Sequence, residues 1–350
     1  ATQGRAIWVL DDPTPLRQLN AEATTADAHL FAPTAAYHVR GSQNKDTPPP
    51  ADTPLGENPP NGAIIDYRLA HNAKTVALEI RDASGNLVRR YASDAPEIAP
   101  DAERYFAESW VQKPAQLSAT AGMHRFVWDL RLPRPRAVSY DYGINAVFRD
   151  GTPILPQGML AAPGNYTVDL VVDGARHSAP LKIVADPRVP LDAPALSAAL
   201  AFGRDVGKSL DRDFVAYGQV HDVGAQVEKL GDTATDKSVA AALAKYRDAI
   251  APLQSDEGAD SENLGDIGGV ISAIAGDLEG SDRAPTQPQR DVVAAADARL
   301  DRALKSWDGV QKNELAALNA VLKASDKAQI HVPAADQVRL HDTPESKDLP

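Results

Sequence analysis

The spacing of hydrophobic and polar positions changes near residue 190. Before this point, apolar and polar residues alternate over short runs, which is the period of a strand with one buried face. Turns rich in Gly, Pro, Asn and Asp separate the runs. The six runs lie at residues 63–69, 75–81, 87–91, 124–130, 165–172 and 177–184. They predict an antiparallel β-sandwich of immunoglobulin or fibronectin type over 62–186, with Trp128 in its core.

After residue 190, apolar residues recur every three or four positions, as in amphipathic helices. These stripes lie at residues 206–230, 239–253, 267–278 and 293–307. The first stripe fits either one long helix or two helices broken near Gly218. The last stripe follows a capping box formed by Thr286 and Gln289, and it can continue to Leu322. One stripe per helix predicts an antiparallel helical bundle over residues 190–331.

Prolines and polar runs mark the boundaries between these regions. Residues 186–190, Asp-Pro-Arg-Val-Pro, end the last strand before the first helix. Residues 41–61 hold six prolines and almost no apolar side chains, which predicts an extended linker. Residues 1–40 then form an opening unit. Its apolar run at 4–12 predicts one strand, either the end of a larger β structure or an addition to the next sheet. Residues 332–350 are polar and predict a tail.

Composition and charge argue against several classes of function. The chain has no cysteine, which excludes disulfides, thiolate catalysis and Cys-ligated metal sites. No apolar run reaches the ~18 residues of a membrane span, and the first ten residues do not have the pattern of a signal peptide. The net charge of −12 argues against nucleic-acid binding. Most of that charge lies in the predicted helical region, since residues 1–185 carry −2 and residues 186–350 carry −10.

Five segments carry distinctive motifs in a fixed order along the chain. They are GRAIWVLDD at 4–12, GENPPNGAIIDYRL at 56–69, the run from Gly122 to WDLR at 128–131, APGNYTVDLVVDG at 162–174, and DPR at 186–188. Together they resemble the C-terminal region of bacterial sortilin-like proteins, which are BNR-repeat, glycosyl-hydrolase-like β-propellers. DLEGSD at 277–282 is a looser match in the helical region.

The resemblance implies an α+β multidomain architecture in which residues 1–40 hold a fragment of the last propeller blade. It also implies an exported protein, located in the periplasm, on the outer surface or outside the cell. The implied role is a non-catalytic accessory module that supports the propeller and binds a partner protein or surface polymer. The implied partner is the propeller portion of the same protein or a second chain.

The alternative is part of a glycoside hydrolase or carbohydrate-binding protein whose active site lies mainly on the propeller. The aspartate-box repeat of the family, S-x-D-x-G-x-T-W, does not occur in this sequence. No catalytic residue is therefore carried over from the resemblance.

Carboxylates and aromatic rings near residue 140 are the candidates for sugar chemistry. Glycoside hydrolysis needs two carboxylates ~5–9 Å apart, and Asp129 and Asp141 are the candidate catalytic pair. Tyr140, Tyr142 and Phe148 are candidate ligand-binding residues, because aromatic faces stack on sugar rings. The structural alternative is that Asp129 bonds a turn and that the tyrosines cover an edge of the sandwich.

The run from Arg131 to Arg136 is a basic cluster. Arg134 and Arg136 are candidate ligand-binding residues, because guanidinium groups bind carboxylate or phosphate through two parallel hydrogen bonds. Two alternatives stay open: the cluster is a solvated loop, or it docks on the acidic helical region.

Metal and cofactor sites are not predicted. The acidic run at 255–262 lacks the order of ligands found in an EF-hand loop. The eight histidines include no H-E-x-x-H motif, so a zinc site is not expected either.

Overall fold

The chain is described by a computed structural model. It covers residues 10–40, 50, 52–53, 59–95, 116–138, 140–142, 154–232, 236–254 and 262–338, with backbone only for 141, 142 and 154. Within these residues the protein is mixed α+β, with strands in its first part and long helices after residue 190. The change in hydrophobic spacing near residue 190 therefore corresponds to a change in secondary structure.

The strands of the first part form two main sheets. Their bounds are β1 Ala28–Leu30, β2 Ala36–His38, β3 Ala63–Leu69, β4 Val76–Asp82, β5 Leu87–Ala92, β6 Gly122–Trp128, β7 Asp141–Tyr142, β8 Ile154–Leu155, β9 Gly164–Val172 and β10 Ala175–Ala185. One sheet has the order β2-β10-β9-β4-β5 and the other β1-β3-β6, while β7 and β8 pair separately. The neighbours are antiparallel except for β2, which runs parallel to β10.

All six predicted strands are confirmed, each within two residues of its predicted ends. The turns have the chemistry that the sequence indicates. The Asp82 carboxylate accepts hydrogen bonds from the backbone N–H groups of Ser84 and Asn86, both at 2.9 Å. At the β9–β10 turn, Asp173 and Gly174 have φ values of 49° and 91°, a conformation that Asp and Gly tolerate best.

Among the described residues, side chains of both sheets form one hydrophobic core. Ile65 comes from the three-stranded sheet, and Leu78 and Leu170 from the five-stranded one, and all are fully buried. Trp128 is also fully buried, which confirms its predicted place in this core, and its Nε1 donates to the carbonyl of Arg131 at 3.1 Å. The indole therefore buries a large apolar area without leaving its polar atom unpaired.

Residues before the proline-rich linker also belong to these sheets. Strand β1 pairs with β3, and β2 pairs with β10. Arg125 of β6 donates to the carbonyl of Asp12 at 2.9 Å, so residue 12 also contacts this sheet. The two sheets therefore include strands from before and after the proline-rich linker. Most of the strand predicted at 4–12 lies outside the described residues.

The helices of the second part are long and follow the predicted stripes. Their bounds are α3 Ala193–Gly231, α4 Lys237–Gln254, α5 Leu264–Leu278, α6 Gln287–Val310 and α7 Ala316–Ala324; two short helices, α1 Thr14–Gln18 and α2 Ala21–Thr25, precede the sheets. Helix α3 runs unbroken through Gly218, which is buried. A π-helical turn at Gln311–Leu315 joins α6 to α7, so the extension to Leu322 is confirmed. The capping box of Thr286 and Gln289 is present.

A second hydrophobic core lies among the helices. Tyr246, Leu264 and Leu300 are fully buried in it. The first residues of the predicted polar tail contact the helices, since Val332 packs against this core and Gln219 donates to the carbonyl of Pro333 at 2.9 Å. Residues 339–350 of the predicted tail lie outside the described residues.

Candidate functional site

The loop that follows β6 carries several of the predicted site residues. Asp129 is exposed, and its Oδ1 accepts a hydrogen bond from the backbone N–H of Arg131 at 3.0 Å. Leu130 is buried and has a φ of 61°, so the chain turns sharply here. This is the turn-bonding role that the structural alternative gives to Asp129.

The second predicted carboxylate is placed only through its backbone. Asp141 pairs with Leu155 in the short β7–β8 ladder, and its side chain and that of Tyr142 lie outside the described residues. Phe148 lies outside them entirely. The distance between the carboxylates of Asp129 and Asp141 therefore stays a prediction.

Tyr140 closes the loop on itself. Its hydroxyl donates to the carbonyl of Pro135 at 2.9 Å and accepts from the N–H of Ala137 at 3.0 Å. Its ring is half-buried against the helical core, with the Arg134 guanidinium 5.5 Å from the ring centroid. Both the hydroxyl and the ring of this side chain therefore have contacts within the protein.

Arg136 is bound to the helical region. Its Nε donates to Asp211 Oδ1 at 2.6 Å, and its guanidinium lies 5.0 Å from the centroid of the Phe214 ring. A further bond reaches the carbonyl of Ala335 at 3.3 Å. The hypothesis that the basic cluster docks on the acidic helical region is confirmed for this residue.

A buried glutamate receives two backbone donors from the loop before β9. Glu279 follows α5 and is 6% exposed. Its carboxylate accepts from the N–H groups of Gln157 at 2.7 Å and Gly158 at 2.5 Å. Burial raises the pKa of Glu279, and these two donors together with Arg131, 3.9 Å away, act in the opposite direction. Gly158 has a φ of 104°, which allows its N–H to point at the carboxylate.

A second acidic residue binds the end of β2. Asp282 accepts a 2.5 Å hydrogen bond from Arg40 Nη2, and its oxygens both lie 3.1 Å from Nε2 of His38. Nδ1 of the same imidazole is 2.8 Å from the carbonyl of Ala161. Burial opposes ionisation of Asp282, but the hydrogen bonds from His38 and Arg40 lower its pKa to about 2. Arg40 also donates to the carbonyl of Glu279.

Apolar contacts accompany these polar ones. Ala137 and Met159 come from loops of the first part, yet they are buried in the helical core. Met159 lies against Gly203 of α3, where a Cβ atom would come within 2.9 Å of its Cγ. We call the region formed by these apolar contacts and by the bonds to Glu279 and Asp282 the junction.

Sequence reasoning did not identify the junction residues. The available signal was the segment DLEGSD at 277–282, which contains both acids and lies between two helices. His38 and Arg40 carry no local signal, because their partners lie 244 and 242 residues away along the chain.

A buried carboxyl group lies close to the junction. Asp213 of α3 is fully buried, and neither carboxylate oxygen has a hydrogen-bond partner among the described residues. A Cβ atom on Gly268 would be 2.2 Å from Oδ2 of Asp213. Helix α5 therefore packs against this carboxyl group at a position that has room only for glycine. Burial raises the pKa of Asp213 to about 8.

The described part of the chain contains neither a cluster of metal ligands nor a membrane-spanning helix. No group of three or more His, Asp or Glu side chains comes together there to hold a metal ion. None of the helices in that part combines the length and hydrophobicity needed to cross a membrane.

Comparisons with known proteins give little similarity. No family model matches the chain, and no curated protein matches its sequence. Among solved structures, CopC from Methylosinus trichosporium OB3b is similar to 38% of this chain and 82% of its own, with 14% identity and a TM-score of 0.17.

Proposed function

We propose that this chain is a non-catalytic support module in which an immunoglobulin-like sandwich and an antiparallel helical bundle are joined into one rigid body. The observation that carries the proposal is the junction. Two acids that follow α5, the buried Glu279 and the half-buried Asp282, bind backbone and side-chain donors of the sheet part, and apolar residues of that part enter the helical core.

The polar bonds fix one orientation of the two parts. Glu279 has two directed N–H donors from consecutive residues, so a shift of the loop by one position would leave a buried carboxylate without them. An unpaired buried charge costs several kcal/mol, on the order of 3–5 when one partner of a buried pair is removed. Alternative orientations of the two parts are therefore strongly disfavoured.

The roles of the loop residues support a structural function over catalysis. Asp129 bonds a turn, Tyr140 closes its own loop and Arg136 docks on α3. The sequence motifs support the choice of partner, which is the propeller portion of a sortilin-like protein, either on the same polypeptide or as a second chain. Such a module works in the periplasm, on the outer surface or outside the cell, and holds the propeller or a surface polymer in place.

The test is purification of the protein from its natural source, followed by native mass, N-terminal sequence and glycosidase assay. A propeller on the same polypeptide, or one that co-purifies, together with no hydrolysis of aryl glycosides, supports the proposal. Hydrolysis by this chain alone that disappears in Asp129→Asn would overturn it in favour of the glycoside hydrolase alternative.

A further inference from the structure

Two arginines beside the junction have no carboxylate partner among the described residues. The guanidinium of Arg134 contacts the ring of Tyr140, and that of Arg89 lies 5.0 Å from the centroid of Tyr91 and donates to the carbonyl of Leu132 at 3.0 Å. Each guanidinium thus rests on an aromatic ring, an arrangement that holds it in place and leaves donors available.

The other arginines of this region are bound differently. Arg136 pairs with Asp211, Arg40 with Asp282, and Arg131 donates to the carbonyl of Gly158 at 2.7 Å beside Glu279. Arg89 and Arg134 therefore differ from these neighbours, because neither forms an ion pair with a carboxylate of the described residues.

The unpaired charges are only partly solvated. Arg134 is half-buried, and burial lowers its pKa, with the positive charge of Arg89 acting in the same direction. Proteins rarely bury charge without a partner, because the lost hydration is not replaced. Repulsion between two nearby cations adds to this cost. An arrangement of this kind in a chain of net charge −12 indicates a place for an anion.

The local charges define which anion fits. Glu279 acts on both Arg131 and Arg134, and Asp129 also acts on both. The three guanidinium groups of Arg89, Arg131 and Arg134 against these two carboxylates leave a surplus of one positive charge. A monoanion cancels this surplus, whereas a dianion adds a second negative charge beside Asp129.

We propose that Arg89 and Arg134 together bind the carboxylate group of a ligand from solvent, with Tyr91 and Tyr140 holding the two guanidinium groups in position. The ligand class is a monocarboxylate, such as the acid group of a uronic acid. Each guanidinium can form two parallel N–H···O bonds to a carboxylate, and this geometry gives the site its selectivity over neutral sugars. The site does not depend on the support function, since it uses residues that do not make the polar bonds of the junction.

Isothermal titration of the full chain with sodium glucuronate tests this site, in a buffer free of carboxylates and phosphate. Charge-assisted bonds from two guanidinium groups correspond to a Kd on the order of 1 mM. We expect Arg134→Gln and Arg89→Gln each to weaken binding at least about tenfold. The matched control is Arg90→Gln, an exposed neighbour on β5 that lies 3.8 Å from Glu79, and it should bind as the unsubstituted chain does.

Two further ligands and one further variant complete the experiment. Glucose should not bind, and inorganic phosphate should bind more weakly than glucuronate. Arg134→Lys keeps the positive charge but cannot form two parallel bonds to one carboxylate, so it should bind glucuronate with intermediate affinity. This variant tests the role of Arg134 if Arg134→Gln does not fold. No heat with glucuronate, equal binding of glucose, tighter binding of phosphate, or full affinity in both Gln variants would each overturn the proposal.

Discussion

Among the described carboxyl groups, that of Asp213 has the environment that most strongly favours the neutral form. It is fully buried on α3, and burial is the cause of the rise in its pKa to about 8. In the unfolded chain the same group has an ordinary pKa near 3.8. Between these two values the folded state holds a proton that the unfolded state has lost, so stability falls as the pH rises from about 4 to 8.

Asp213→Asn should remove this part of the pH dependence, because an amide does not ionise. We expect the variant to gain stability relative to the unsubstituted chain as the pH rises from 5 to 8, measured by urea unfolding at both values. Asp205→Asn, on the exposed face of the same helix, is the control and should leave the slope unchanged. An identical slope in Asp213→Asn and the unsubstituted chain would show that Asp213 is ionised in the fold.

At the scale of elements, the strands and long helices could be predicted because their signals are local. Alternation marked six strands, and the stripe of apolar residues through Gly218 marked α3. Strands β1 and β2 were not predicted, since three residues each are too short to show a period. The acids at 279 and 282 were missed for a different reason: their hydrogen-bond partners lie far away in the chain.

The start of β3 gives a test of close backbone contact. Gly62 and Gly122 both have a φ of 132°, but a Cβ atom on Gly62 would lie 2.0 Å from the carbonyl oxygen of Trp128, whereas nothing lies within 4 Å of one on Gly122. Gly62→Ala should therefore destabilise the protein by about 2 kcal/mol or more beyond Gly122→Ala. Thermal or urea unfolding of the two variants measures the difference, and equal losses would mean that the contact is relieved by small shifts.

Two glycines of α5 form a second matched pair. A Cβ atom on Gly268 would overlap the Asp213 carboxyl group, while one on Gly269 would meet nothing within 4 Å. Gly269→Ala should stabilise the protein by about 0.5–1 kcal/mol through helix propensity, and Gly268→Ala should destabilise it. Chemical unfolding of both variants checks the two opposite signs; stabilisation by both substitutions would show that Asp213 has room to move.

At the scale of the whole molecule, the junction links the stability of the two parts. The pKa of Asp282 is lowered to about 2, so its contribution is complete above about pH 3.8 and is lost as the pH falls toward 2. We expect Asp282→Asn to cost about 2 kcal/mol at pH 7, since it removes the charge from bonds to His38 and Arg40. Urea unfolding at pH 7 measures this loss, and the exposed Asp277→Asn is the control. A loss no larger than that of the control would show that the bonds to Asp282 do not hold the parts together.

The most direct test of the rigid-body account is a distance distribution across the junction. Because the chain has no cysteine, spin labels can be placed at Ser84→Cys in the β4–β5 turn and Lys305→Cys on α6, both exposed sites. Double electron–electron resonance should give one narrow distance distribution, which broadens when Glu279→Ala and Asp282→Ala are added. A broad distribution in the chain that keeps both acids would contradict the account.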